Sequence, residues 1–279
     1  MIITQDIFEY FCPVVLSPDS TVFDAMTAAF PLRLSFISTV IGEDIMAELD
    51  SLSYSPLTAP LDDSEKLCSY VMRYVCHASF LDMLPQLDLV LTPTGFGVVS
   101  NGNVAPASSD RIDRLRDALL HARDEAFDLI LHQIRGFDGW SGSEEARTWI
   151  SSLFWKSRHL VLFGMAYPSR DDLDRMRPKI TEGEMKLRNL ISSEFFEEIC
   201  SSERQADGGL LTQAAVLSRR YVVAVVQNSH LTDLHRRTLI SFIESHTDDF
   251  PVYMNSSAYR ANHHEPYENR KEDPCFFFG

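Results

Sequence analysis

The sequence contains no cysteine pair. Its five cysteines, Cys12, Cys68, Cys76, Cys200 and Cys275, are odd in number and never spaced C-x-x-C. That excludes a disulfide framework and points to reduced, mostly buried thiols in a cytosolic protein. Basic charge is scarce. Only 25 Lys and Arg stand against 40 Asp and Glu, a formal charge of -15. A surface of that sign repels phosphates and anionic lipid, so neither nucleic acid nor a membrane is expected as a partner. Long apolar runs are missing too. Tyr221 to Val226 is among the longest, far short of the ~20 residues that cross a bilayer. The opening residues 1–17 lack the basic n-region and apolar core of a secretory signal, so the expectation is a soluble, intracellular chain.

Chemical signatures are equally sparse. There is no G-x-S-x-G elbow and no Glu-x-x-His pair for a di-iron bundle. No lysine occurs between Lys66 and Lys156, so the glycine-rich stretch Leu91 to Pro106 cannot be a Walker loop. A dinucleotide fingerprint also fails there. Gly95 and Gly97 run into Val98 and Val99 rather than a helix start, and Gly102 comes five residues after Gly97. The stretch reads better as a β-hairpin over 87–100, with Pro93-Thr94-Gly95 as its turn and Asn101 to Asn103 leading out. His246, His263, His264, Glu265 and Cys275 cluster near the end of the chain, but adjacent histidines in a polar segment lack the spacing of a zinc site. His77 and His121 fall on helices as structural residues. No catalytic residue, metal or cofactor is expected, and the chain is not read as an enzyme. The less favoured alternative is a metal-dependent hydrolase using those histidines.

What the 279 residues do contain is a repeat. Apolar content of 45% and charged content of 23% suit a globular fold. Shifted by 150 residues, 21–51 lies ungapped on 171–201, with identities at Asp24/Asp174, Met26/Met176, Ile41/Ile191, Glu48/Glu198 and Ser51/Ser201. Between them Ile37/Leu187, Val40/Leu190, Ile45/Phe195 and Leu49/Ile199 keep the spacing of one helix face. Each copy continues into another apolar helix, 64–84 and 210–227, which share an Arg-Tyr-Val step at Arg73 and Arg220. Short strands, 12–17 and 159–167, are expected to lead the two copies. The fold class expected is therefore mainly α with a minor β component (α+β): two duplicated helical units, leading strands and one hairpin.

Three further features complete the expected organisation. From a Ser108 or Ser109 cap, a helix over 109–134 carries Ile112, Leu115, Leu119, Ala122, Ala126 and Leu129 at alternating steps of 3 and 4, a heptad seam. The three glycines of 135–145 suggest a linker. The chain ends on Phe276, Phe277 and Phe278, which must dock either on their own core or on a neighbouring subunit. The domains expected are 1–136, with the hairpin and long helix, then a repeated unit 137–249, then a polar tail 250–279. Charge is uneven: 20 acidic and 8 basic side chains in 1–140 give -12, against -3 in the remainder.

The run "LDLVLTPTGFGVVSNGNVAPASSDRIDRLRDAL", with the closing "YENRKEDPCFFFG", resembles an uncharacterised family of phage and prophage proteins of gut bacteria. Its members share an L-x-L-x-T-x-x-GF-x-V-x-S-x-x-N-x-APAS-like run before a long helix. The family has no activity to carry over, so the resemblance implies no catalytic residue. It implies a virion assembly protein similar to head–tail connectors (adaptors), located in the bacterial cytoplasm or in the virion. Partners would be portal or tail proteins, or the chain itself. The contact residues are then Phe96 and Val98 of the hairpin, Ile112, Leu115 and Leu119 of the seam, and Phe276, Phe277 and Phe278. The alternative is a peptide- or protein-binding module of a mobile element.

Overall fold

The structure is a computed structural model describing residues 1–12, 22–60, 62–87, 89–92, 95–98, 108–206 and 208–263, with only the backbone at 22, 89–92 and 95–98. The chain divides into two compact units. Unit 1 is Met1–Met176 with Arg204–Ala206, and unit 2 is Arg177–Glu203 with Asp207–Gly279.

Unit 1 opens with α1 (Gln5–Phe11), capped by the Thr4 hydroxyl, and α2 (Val22–Thr27). Next comes α3 (Phe30–Ile41), which stops because Gly42 sits at φ +90. Only glycine takes that backbone angle without strain. The next residue starts α4 (Glu43–Ser51), whose first-turn acids Glu43 and Asp44 suit its positive end. In α5 (Asp63–Met83) the Asp62 carboxylate accepts the Glu65 amide at 2.8 Å, and the stretch from Tyr74 to Phe80 is buried. The 26-residue α6 (Ser109–Ile134) packs along α5. Where α3, α5, α6 and α7 (Glu144–Trp149) meet, Phe36, Tyr74, Phe127 and Trp149 form an aromatic cluster with centroids 5.2 to 5.9 Å apart.

Residues 135–145 are not a linker. Gly139 at φ +82 turns the chain so that Trp140 enters the core of unit 1, and its indole N–H donates to the Val40 carbonyl at 3.0 Å. That carbonyl is one of those left unpaired where α3 ends. The division between units falls instead inside α8 (Arg170–Ile191), after Met176.

The expected α+β class is overturned, because the described residues form a helical fold with no β layer. The strand expected at 159–167 is a 3-10 helix, Ser157–Phe163, closed by Gly164 at φ +88. Buried Leu160 draws that segment inward in place of the β-prone Val161 and Leu162. The strand expected at 12–17 meets the C-cap of α1 at Cys12, and 13–17 lie outside the described residues. Over 87–100, β1 (Leu89–Thr92) and β2 (Gly95–Val98) pair, among the described residues, with each other alone, Leu89 opposite Val98. Two four-residue strands have no layer to join and add no β component to the fold. Pro93, Thr94 and 99–107 lie outside the described residues.

In unit 2, α8 stops at Ser192, held at φ +79, and α9 (Ser193–Gln205) starts at once. The Ser192 hydroxyl accepts the Phe195 amide at 3.2 Å. Then come α10 (Leu210–Val226) and α11 (Thr232–Glu244), packed on each other, and the short α12 (Pro251–Met254) and α13 (Ser257–Asn262). The aromatic centre is Phe195, 5.2 Å from Phe250 and 5.7 Å from Tyr253. Gly183 lets α8 approach α10 closely. A Cβ there would lie 2.8 Å from Val222 Cγ1 and 3.0 Å from Val226 Cγ2. Among the described residues, no single helix is long and apolar enough to cross a membrane.

Candidate functional site

Helix α6 is where most of the chemistry-bearing side chains of unit 1 meet, and its two halves do different things. In the C-terminal half, Asp124 and Asp128 are one turn apart and both are buried. Asp128 accepts three bonds. The Ser157 amide reaches Oδ1 at 3.1 Å, while the Ser157 hydroxyl and the Arg158 amide reach Oδ2 at 2.7 and 3.1 Å. Asp124 takes the Arg170 amide at 2.7 Å and the Arg123 Nε at 2.8 Å. Each carboxylate therefore caps the start of another element: Asp128 the 3-10 helix, Asp124 the first turn of α8.

Arg170 ties this node together. Its Nη1 donates to the Trp155 carbonyl at 2.9 Å and lies 3.5 Å from Asp128 Oδ1, and its guanidinium sits 4.8 Å from the centre of the Phe127 ring. Around buried Trp155, the Arg135 guanidinium and the Lys156 ammonium lie 4.8 and 4.3 Å from the ring centre, and both approach His132 Nδ1. The acceptors of the two acids are occupied by backbone and side-chain donors. Such carboxylates hold loops in place.

The motifs and heptad row of α6 do not single out this pair. A signal was present. Asp124 and Asp128 interleave with Ala126, Phe127, Ile130 and Leu131, all buried, where an acid needs dedicated donors.

Several histidines and cysteines also sit against the surrounding fold. His77 is buried on α5, with Nε2 2.7 Å from the Phe11 carbonyl, and burial holds its pKa below the usual 6.5. Cys12, Cys68, Cys76 and Cys200 are buried thiols. Burial pushes the Cys68 thiol up to about 11 and raises those of Cys12 and Cys76 as well, so these thiols stay protonated and unreactive. His121 lies against Tyr167, ring centroids 5.9 Å apart. His246 Nδ1 is 2.8 Å from the Phe242 carbonyl. His263 has Nδ1 3.0 Å from the Tyr259 carbonyl and Nε2 3.3 Å from Glu244. Among the described residues no group of three or more metal-ligating side chains comes together. His264, Glu265 and Cys275 lie outside them.

The N-terminal half of α6 is a surface. Its seam runs outward from the core: Leu119 is fully buried, Leu115 packs at the core edge, and Ile112 is half-buried. On either side Asp110, Arg111, Asp113, Arg114, Arg116 and Asp117 are exposed. Leu119 is thus a core residue, and Ile112 and Leu115 are the members of the seam that present apolar surface. Phe96 and Val98 lie on β2, described by its backbone alone, and Phe276, Phe277 and Phe278 lie outside the described residues.

Residues 37–146 match a family of unknown function, DUF6712. The matched span runs from within α3 into α7 and includes all of α6. No curated protein and no solved structure matches the chain.

Proposed function

We propose that this chain is a non-enzymatic assembly protein of a phage or prophage, of the head–tail connector (adaptor) type, acting through contacts with other proteins. The observation that carries the reading is the outward-running seam of α6, from buried Leu119 through Leu115 to half-exposed Ile112. A helix whose apolar row continues past the core, flanked by alternating acids and arginines, has the form of a protein-binding helix. The charge of -12 over residues 1–140 also suits a ring through which DNA must slide without adhering. The resemblance of 87–119 to phage proteins supports the same class.

Light scattering after size exclusion tests the proposal, run on the chain alone and mixed with phage portal and tail proteins. A defined complex or a closed oligomer is expected. A strict monomer that joins neither protein would overturn it.

A further inference from the structure

We propose that unit 2 is a second copy of the domain whose family matches residues 37–146, and that residues 81–118 are an insertion in the first copy which this fold does not need. The helices of the two units correspond in order: α3, α4, α5 and α6 to α8, α9, α10 and α11. They also correspond residue by residue. At a shift of 150, the buried positions Phe30, Ile41 and Leu49 fall on buried Ile180, Ile191 and Ile199. At 147, Leu67, Tyr74 and Val75 fall on Ala214, Tyr221 and Val222, again all buried. At 113, Ala126, Ile130 and Trp140 fall on Leu239, Ile243 and Tyr253, with the same result.

Any two amphipathic helices can be slid until their faces match, so burial alone is weak support. Three features do not follow from amphipathicity. Both units break the same helix for a single residue of positive φ, Gly42 at 90° and Ser192 at 79°, and those residues are also 150 apart. In both, the carbonyl two residues before the break receives a side-chain N–H from a segment that follows the fourth helix. Trp140 Nε1 donates to Val40 at 3.0 Å, and Asn262 Nδ2 to Leu190 at 3.3 Å. The donor position differs, but Asn262 also contacts the Tyr253 hydroxyl at 3.4 Å, and Tyr253 occupies the place of Trp140. Both units then carry, at matching places in their order of helices, a six-residue helix under a serine cap. The Ser143 and Ser256 hydroxyls each accept at 3.1 Å, from Ala146 and Tyr259.

The copies differ between their third and fourth helices. In unit 2, residues 227–231 alone join α10 to α11. In unit 1, α5 runs one turn further, to Met83, and α6 starts only at Ser109, ten residues before Leu119, the counterpart of Thr232. Unit 2 therefore shows the same bundle closing on a five-residue connection.

Two measurements on the full-length chain test the proposal, which does not depend on the assembly role. In the first, residues 81–118 are replaced by the Asn228–Leu231 sequence, keeping core residue Phe80 and joining it to Leu119. A cooperative melt with Tm within roughly 10 °C of the parent is expected, since the described contacts that the exchange removes lie mostly at the edge of the core. Loss of cooperative unfolding would overturn the insertion claim. The second is amide exchange on the unaltered chain. It should show two fast notches, at 43–44 and at 193–194, each flanked by helical turns exchanging at least about ten-fold more slowly. Uninterrupted protection through 192 would overturn the second-copy claim.

Discussion

Replacing Asp128 with alanine should destabilise unit 1 more than any other single polar substitution in it. The side chain is 11% exposed and accepts three hydrogen bonds, two of them from the backbone amides of Ser157 and Arg158. Alanine would leave those amides facing a cavity. A buried donor stranded in this way costs about 1–3 kcal/mol, and bonds to a charged acceptor are worth about 1.5–3 kcal/mol each. The effects are not additive, and water entering the gap would satisfy one donor. We therefore expect a loss of about 3–4 kcal/mol for Asp128→Ala. Asp128→Asn keeps one carbonyl oxygen but points an NH2 group at donors, so about 2 kcal/mol is expected. At roughly 2–4 °C per kcal/mol for a unit of this size, the alanine variant should melt about 6–16 °C lower. Urea unfolding followed by circular dichroism reads the loss, and amide exchange at Ser157 and Arg158 localises it. A loss below about 1 kcal/mol, with both amides still protected, would refute the reasoning, because the carboxylate would then not be holding this loop.

Three other perturbations have definite signs. Gly183→Ala should destabilise unit 2 although alanine is the better helix former. The new Cβ meets stiff, β-branched Val222 at 2.8 Å, an overpacking cost of about 1–3 kcal/mol against a propensity gain of about 1. Val222→Ala in the same chain should recover part of the loss, and a stabilised single variant would contradict the close approach. His77 should make stability fall below about pH 6.5, because the unfolded chain accepts a proton that the buried ring resists. The urea midpoint of the native chain should therefore drop between pH 7.5 and 5.5 by more than that of His77→Gln, and equal drops would exclude His77 as the cause. A thiol reagent should reach Cys12, Cys68, Cys76 and Cys200 only on unfolding. Rapid labelling of any of the four in the native chain would show that its burial is wrong.

What could be read from the sequence followed periodicity. The heptad row and serine cap place a helix over 109–134, which is the span of α6, because a long helix carries many repeats of one signal. The shift of 150 likewise pairs positions that turn out buried in both units, such as Ile41 and Ile191. Short segments were misread where a single residue decides. Val161 and Leu162 look like a strand, yet Gly164 and the inward pull of Leu160 wind that segment into a 3-10 helix. The glycines of 135–145 look like a linker, but one of them turns Trp140 into the core. The Asp124–Asp128 node was missed because its donors, at Ser157, Arg158 and Arg170, are 29 to 46 residues away in sequence. No local pattern joins them.

The proposed assembly role rests on the exposed end of the α6 seam, so the decisive measurement substitutes it. Native mass spectrometry would compare the parent with Ile112→Glu/Leu115→Glu, each alone and with phage portal and tail proteins. The account predicts an oligomer or complex for the parent that the double variant loses while keeping its helical circular dichroism. A parent that stays monomeric and unbound, or a folded variant that assembles as well as the parent, would contradict it.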